Sequence, residues 1–173
     1  MAPITFPPRS SFVLTGPDLA DGRHLTKDHE FNGFDGDGKN VFPELNWTGA
    51  PEGTKSFALT VYDPDAPSGS GWWHYLLLNI PASVSSLQRG AGTDAALRPA
   101  GTMQVRNDYG IRDFGGPCPP KGDKPHRYIF TVHALKVEKL DLPEDVTAAC
   151  AGFMINANCL AKASVTPVYG RPA

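Results

Sequence analysis

The residues able to do chemistry gather in two stretches rich in proline and glycine. In the first, Asp63-Pro64-Asp65-Ala66-Pro67 runs through Gly69-Ser70-Gly71 into Trp72-Trp73-His74-Tyr75. In the second, Gly115-Gly116-Pro117-Cys118-Pro119-Pro120 runs on to Pro125-His126-Arg127-Tyr128. Each stretch ends on an imidazole beside aromatic rings. In an extended segment Asp63 and Asp65 would face the same side, where paired carboxylates can bind a metal or share a proton. The same acids can instead hold imidazoles and arginines, or close turns through Asx-type bonds. A protonated imidazole attracts an anion, and Gly115 and Gly116 could offer exposed backbone N–H groups to it.

Other chemistries lack their signatures. The sequence has no HExxH, no His-x-His and no compact Cys/His cluster for a metal. It has no Gly-x-Ser-x-Gly elbow, P-loop or dinucleotide fingerprint, and no neighbour in sequence marks Cys118 as an activated thiol. The Asp35-Gly36-Asp37-Gly38 spacing invites a calcium reading. It lacks the closing glutamate and the helical flanks such a loop needs, so no metal and no cofactor is expected.

Strands must hold these loops. The runs 56–62 and 73–79 are sheet-prone and bracket the first loop, and the alternating run 129–137 follows the second. Shorter strands are expected at 11–14, 24–29 and 103–107, with an extended opening stretch over 1–9 and an extended tail over 165–170. Residues 83–87 read as one helical turn. A single substantial helix is expected from about Leu142 to about Lys162, with Val146, Cys150, Phe153, Ala157 and Leu160 as its apolar stripe. The fold class is therefore mainly β with a C-terminal helix, in a single domain over residues 1–173.

Composition narrows the partners. Sixteen Lys and Arg against 18 Asp and Glu give a formal net charge of -2, with no basic cluster to mark a nucleic-acid surface. No apolar run is long enough to span a bilayer, so no stable membrane insertion is expected. The chain start lacks the basic and apolar regions of a secretory signal. Together with three irregularly spaced cysteines, read as reduced thiols, this predicts a cytoplasmic protein. The 18 Gly and 17 Pro point to many specified turns and long ordered loops.

Asp63-Pro64-Asp65-Ala66-Pro67 followed by Trp73-His74, with Gly115-Gly116-Pro117, Pro119-Pro120 and His126-Arg127-Tyr128, resembles the phosphatidylethanolamine-binding protein family. The wording of both motifs is similar to its bacterial, Raf-kinase-inhibitor-like branch, and the resemblance runs from about Phe31 to Tyr169. It implies a large central antiparallel sheet flanked by a smaller one, with C-terminal helical structure. It also implies a small anion pocket for phosphate, acetate or a phospholipid headgroup. The pocket would fall on Asp63, His74, Gly116, His126 and Tyr128, with Pro64, Pro67 and Pro117 shaping its walls and Asp65 as support. Two departures from the family pattern, Phe42 and Phe114, are expected near the rim, where they could alter its shape.

Three functions remain open at this point. One is non-enzymatic binding of a phosphomonoester or phospholipid headgroup, acting as inhibitor or modulator of an unidentified protein partner. Another is small-molecule hydrolysis using Asp63, His74 and His126 for acid–base work. The third is a protein-interaction module with a vestigial pocket, reading its partner through the 31–43 and 108–124 loops. A homodimer is compatible with each.

Overall fold

The computed structural model describes residues 11–173; the extended stretch expected over 1–9 lies outside the described residues. A five-stranded antiparallel sheet forms its centre, in the order β6-β4-β3-β8-β9. These strands are β3 (Ser56–Asp63), β4 (Trp72–Pro81), β6 (Met103–Gln104), β8 (Ile129–Leu135) and β9 (Cys159–Val165). A three-stranded sheet orders β1 (Val13–Thr15), β2 (Leu45–Thr48) and β5 (Ser86–Leu87), and a two-stranded ribbon pairs β7 (His126–Arg127) with β10 (Val168–Tyr169). A large antiparallel sheet with a smaller one beside it and one α-helix is the architecture expected from the sequence.

The central strands are nearly continuous apolar runs because both faces of the sheet are covered. Phe57, Leu59, Val61, Tyr75, Leu77, Phe130 and Val132 face a core shared with the smaller sheet. Ala58, Leu76, Leu78 and Leu135 face the other way, against α1 (Ala148–Ala157). Each fully buried leucine or phenylalanine contributes about 2 kcal/mol by leaving water.

The helix is shorter than the sequence pattern suggested. Thr147 caps α1 by accepting from the Cys150 N–H, and residues 159–165 leave the helix to pair with β8 as an edge strand. The proposed stripe is wrong accordingly: Ala148, Ala151 and Ile155 are buried, while Phe153 and Leu160 are exposed. Pairing to an open sheet edge outweighs helix propensity here, and short apolar runs do not distinguish the two by period. Two smaller corrections run in opposite directions. Residues 27–29 form a 3-10 turn rather than a strand, and Ser86–Leu87 pairs with β2 instead of coiling. Among the described residues no helix is long and apolar enough to cross a membrane.

Candidate functional site

The register between β3 and β4 slips by one residue near the first motif. Val61 pairs with Tyr75 and Tyr62 with Trp73, so His74 has no cross-strand partner. Such a bulge re-aims a side chain. Strict alternation would put His74 with Leu76 and Leu78, on the α1 side. Instead it turns to the opposite face and meets Tyr128, ring centroids 5.2 Å apart, at a cavity of about 280 Å³. Asp63, Pro67, His74, His126 and Tyr128 all line that cavity.

His74 is held by the second loop. Its Nδ1 lies 2.7 Å from the Gly115 carbonyl, which can only accept, so Nδ1 carries the proton. Burial pushes the ring's pKa down to about 4, against the opposing pull of the Gly115 carbonyl and the Asp63 charge. Near neutral pH His74 is therefore uncharged, and its Nε2 is an acceptor.

His126 is committed differently. Nδ1 lies 2.8 Å from Asp63 Oδ2, and Nε2 lies 3.2 Å from Asp123 Oδ2. Each ring nitrogen thus faces a carboxylate oxygen, and neither is free. Asp63 is buried, and its other oxygen accepts from the Asp65 N–H at 2.7 Å, closing an Asx turn as Pro64 bends the chain. The two acids consequently diverge rather than share a face. Asp65 turns to the surface, where its carboxylate meets Arg127 at 2.8 and 3.0 Å. The Arg127 guanidinium holds the Asp65 carboxyl at about 2. Asp65 thus ties the first loop to β7, a supporting role.

The glycine loop does not supply free donors. The Gly115 N–H bonds the His74 carbonyl, and the Gly116 N–H bonds Asn40 Oδ1 at 2.7 Å. Gly116 is required for a different reason: a Cβ there would overlap the His29 carbonyl oxygen. Asn40, at a positive φ of 52°, also donates to the Phe114 carbonyl and so fixes the loop from both sides. Gly116, Pro64 and Pro117 are absent from the lining. Pro64 sits in the outward turn, while Pro117 is buried and gives its carbonyl to the Phe31 N–H.

Phe42 and Phe114 are not at the rim. Both are fully buried, edge to face at 5.3 Å, in the core beneath Tyr75. The aromatic residues Phe34, Trp72 and Tyr109 line the cavity instead, and Asp35, Ala66, Ser68, Cys118, Pro119 and Pro120 complete its walls. Trp72 Nε1 is buried without a partner. Tyr109 was invisible in the sequence because it follows a bare turn signal; its hydroxyl bonds the Gly116 carbonyl and its ring stacks on Phe31 at 4.0 Å. Asp123, in the loop before β7, carried no signal of its own.

The carboxylates of the acidic loop are held in ion pairs. Asp35 pairs with Arg171 and Asp37 with Lys27, each at 2.9 Å. Arg171 also donates to the Pro119 carbonyl, fastening that loop to the proline wall. Cys118 lines the cavity, but burial pushes its thiol up to about 11, far from a reactive thiolate. Among the described residues no three His, Cys, Asp or Glu side chains converge to hold a metal.

Known proteins resemble the chain over nearly its whole length. The chain is 52% identical over 171 residues to YbcL of Escherichia coli, covering 98% of this chain and 93% of that protein. It is 47% identical over 156 residues to YbhB of the same organism, covering 90% and 98%. The crystal structure of E. coli YbcL, described as a new member of the mammalian PEBP family, superposes with a TM-score of 0.89 over 92% of this chain and 98% of that one. The family model for phosphatidylethanolamine-binding protein matches residues 15–170. The protein belongs to the phosphatidylethanolamine-binding protein family, close to its bacterial YbhB/YbcL branch.

Proposed function

We propose that the cavity between β4 and β7 binds the phosphoryl group of a phosphomonoester, free or as a lipid headgroup, without transforming it. The observation that carries this reading is the convergence of His74, His126, Tyr128 and Trp72, whose indole N–H has no partner, on one small cavity. Tyr128 stays a phenol, since burial and the Asp63 charge raise its pKa well above the usual value. It can donate to an anion, as can Trp72. The neutral His74 presents an acceptor, so the favoured guest brings a proton with it. A phosphomonoester monoanion has one P–O–H and fits; sulfate at neutral pH has none. Three free cysteines suit a reducing compartment, and we place the activity in the cytoplasm.

Hydrolysis is the second reading, because Asp63 orients His126 as an acid orients a general base. Against it, the Ser68 hydroxyl on the lining is spent on the Gly71 carbonyl, and the Cys118 thiol is held protonated.

Calorimetry with inorganic phosphate, phosphoethanolamine and sulfate, in buffers of different ionisation enthalpy, tests the binding reading. Phosphate and phosphoethanolamine should bind with net proton uptake, and sulfate about tenfold more weakly, as expected for one buried acceptor left unmatched. Vesicles containing phosphatidic acid, whose headgroup is itself a phosphomonoester, separate lipid from soluble ligand. If the double variant His74→Asn/His126→Asn kept its phosphate affinity, the site would lie elsewhere. Turnover of a phosphomonoester lost in His126→Asn would favour the enzyme.

A further inference from the structure

A second cavity, of about 160 Å³, lies on the other face of the central sheet. The C-terminal half of α1 roofs it with Gly152, Ile155 and Asn156, and Tyr62, Trp73 and Ile129 wall it with apolar surface. The Tyr62 and Trp73 rings lie 4.6 Å apart. At its floor Thr60 Oγ1 and His133 Nε2 are 2.9 Å apart, which leaves His133 Nδ1 buried with no partner. His133 is only 6% exposed, so that nitrogen costs stability unless something enters to meet it. Lys162, cross-strand neighbour of His133 on β9, lines the exposed side. Among the described residues no carboxylate pairs with it, and no Asp or Glu lines the cavity.

We propose that this cavity is a second ligand site, which takes a small ring-bearing carboxylate with its charged group between His133 Nδ1 and Lys162. The size fits, because an apolar cavity of about 150 Å³ holds benzene. The sign of charge fits as well. Burial and the Lys162 charge push His133 down to about 3, so the ring is neutral and the only formal charge at the cavity is that of Lys162. With Thr60 donating its hydroxyl proton to Nε2, the neutral ring carries its own proton on Nδ1. That N–H and the Lys162 ammonium then offer two donors to one carboxylate. The guest's ring would pack on Trp73 and the two isoleucines. The phosphoryl pocket shares no lining residue with this site, so the two stand or fall separately.

Benzoate is the probe, titrated into the full chain with saturating inorganic phosphate present and followed by NMR of the His133 imidazole and the Trp73 indole. Saturable shifts of both are expected, with no matching response to benzylammonium. Lys162→Gln, an exposed change on an edge strand, should weaken benzoate about fivefold, the effect of one partly solvated ion pair. The proposal is overturned by unmoved His133 and Trp73 signals through the millimolar range, which would mean that only water fills the cavity. It is equally overturned by equal binding of benzylammonium, by Lys162→Gln having no effect, or by shifts confined to His74 and His126.

Discussion

His74 and His126 line one cavity, and their ring nitrogens are committed in different ways. His74 gives its only proton to a backbone carbonyl and is kept neutral by burial. His126 meets a carboxylate at each nitrogen, so anything else that binds its Nε2 must displace Asp123. In sequence the two are equivalent, each an imidazole beside aromatics after a Pro/Gly loop. The difference comes from their partners. A carbonyl selects a tautomer and leaves the other nitrogen free, whereas a pair of carboxylates occupies both nitrogens. The cavity thus has one imidazole with a free acceptor and another whose nitrogens are both engaged.

The largest effect should come from breaking the wall behind His74. Gly116→Ala would drive a methyl group into the His29 carbonyl oxygen and disturb the Asn40 bridge. A loss of about 4 kcal/mol in denaturant unfolding is expected, at the high end for a core change. In whatever fraction stays folded, the His74 Nδ1 proton signal should broaden while the Asp63–His126 pair persists. If both signals vanished together, the two walls would not be independent.

Acid should act on the His74 side next. Its native pKa is depressed, so between about 4 and the ordinary 6.5 the unfolded chain binds more protons than the native one. Stability is then fully present above pH 6.5 and falls as the pH drops towards 4, by about 3 kcal/mol from this residue. His133, held down to about 3 by burial, adds to the same slope. The measurement is therefore a difference: unfolding free energy against pH for the wild type and for His74→Asn, whose amide can still reach the Gly115 carbonyl. The variant's curve should be flatter. Parallel curves would show that His74 is not the group being titrated.

The His126 side is tested by freeing its outer nitrogen. Asp123 is partly exposed, with 42% of its side chain accessible, and belongs to a turn rather than the core. Asp123→Ala should leave stability nearly unchanged and raise the affinity for inorganic phosphate about fivefold, by removing a competing anion. A fall in affinity would assign Asp123 the opposite part, that of accepting the guest's proton.

What could be read from the sequence, and what could not, divides along similar lines. The large sheet was legible because β3, β4 and β8 are long, apolar and β-branched or aromatic, and burial on both faces reinforces that pattern. The loops were legible because Pro, Gly and Asp have few other uses. The bulge that turns His74 to the pocket was not, since one unpaired residue leaves the composition of a strand unchanged. The helix end at Asn158 was missed because whether Cys159–Val165 coils or pairs depends on a vacant edge of β8, a fact of tertiary structure. Phe42 and Phe114 were placed at the rim by their nearness to pocket motifs, but chain proximity does not say which way a ring points.

The smallest effect concerns the tie between the two walls. Asp65 grips Arg127 through both carboxylate oxygens and also accepts from the Arg127 backbone N–H at 2.9 Å. The geometry is good, but the Arg127 side chain is 58% exposed and that of Asp65 32%, so water and salt screen most of the attraction. Asp65→Asn should keep the backbone bond and lose the ion pair, at about 0.5 kcal/mol in low salt and less in high salt. Phosphate affinity should barely move, because Asp63 reaches His126 without help from this surface pair. A large loss of affinity, with stability intact, would mean that the spacing of the walls depends on the tie. His74 and His126 would then have to be treated as one mechanical unit, not as two imidazoles set independently by their own partners.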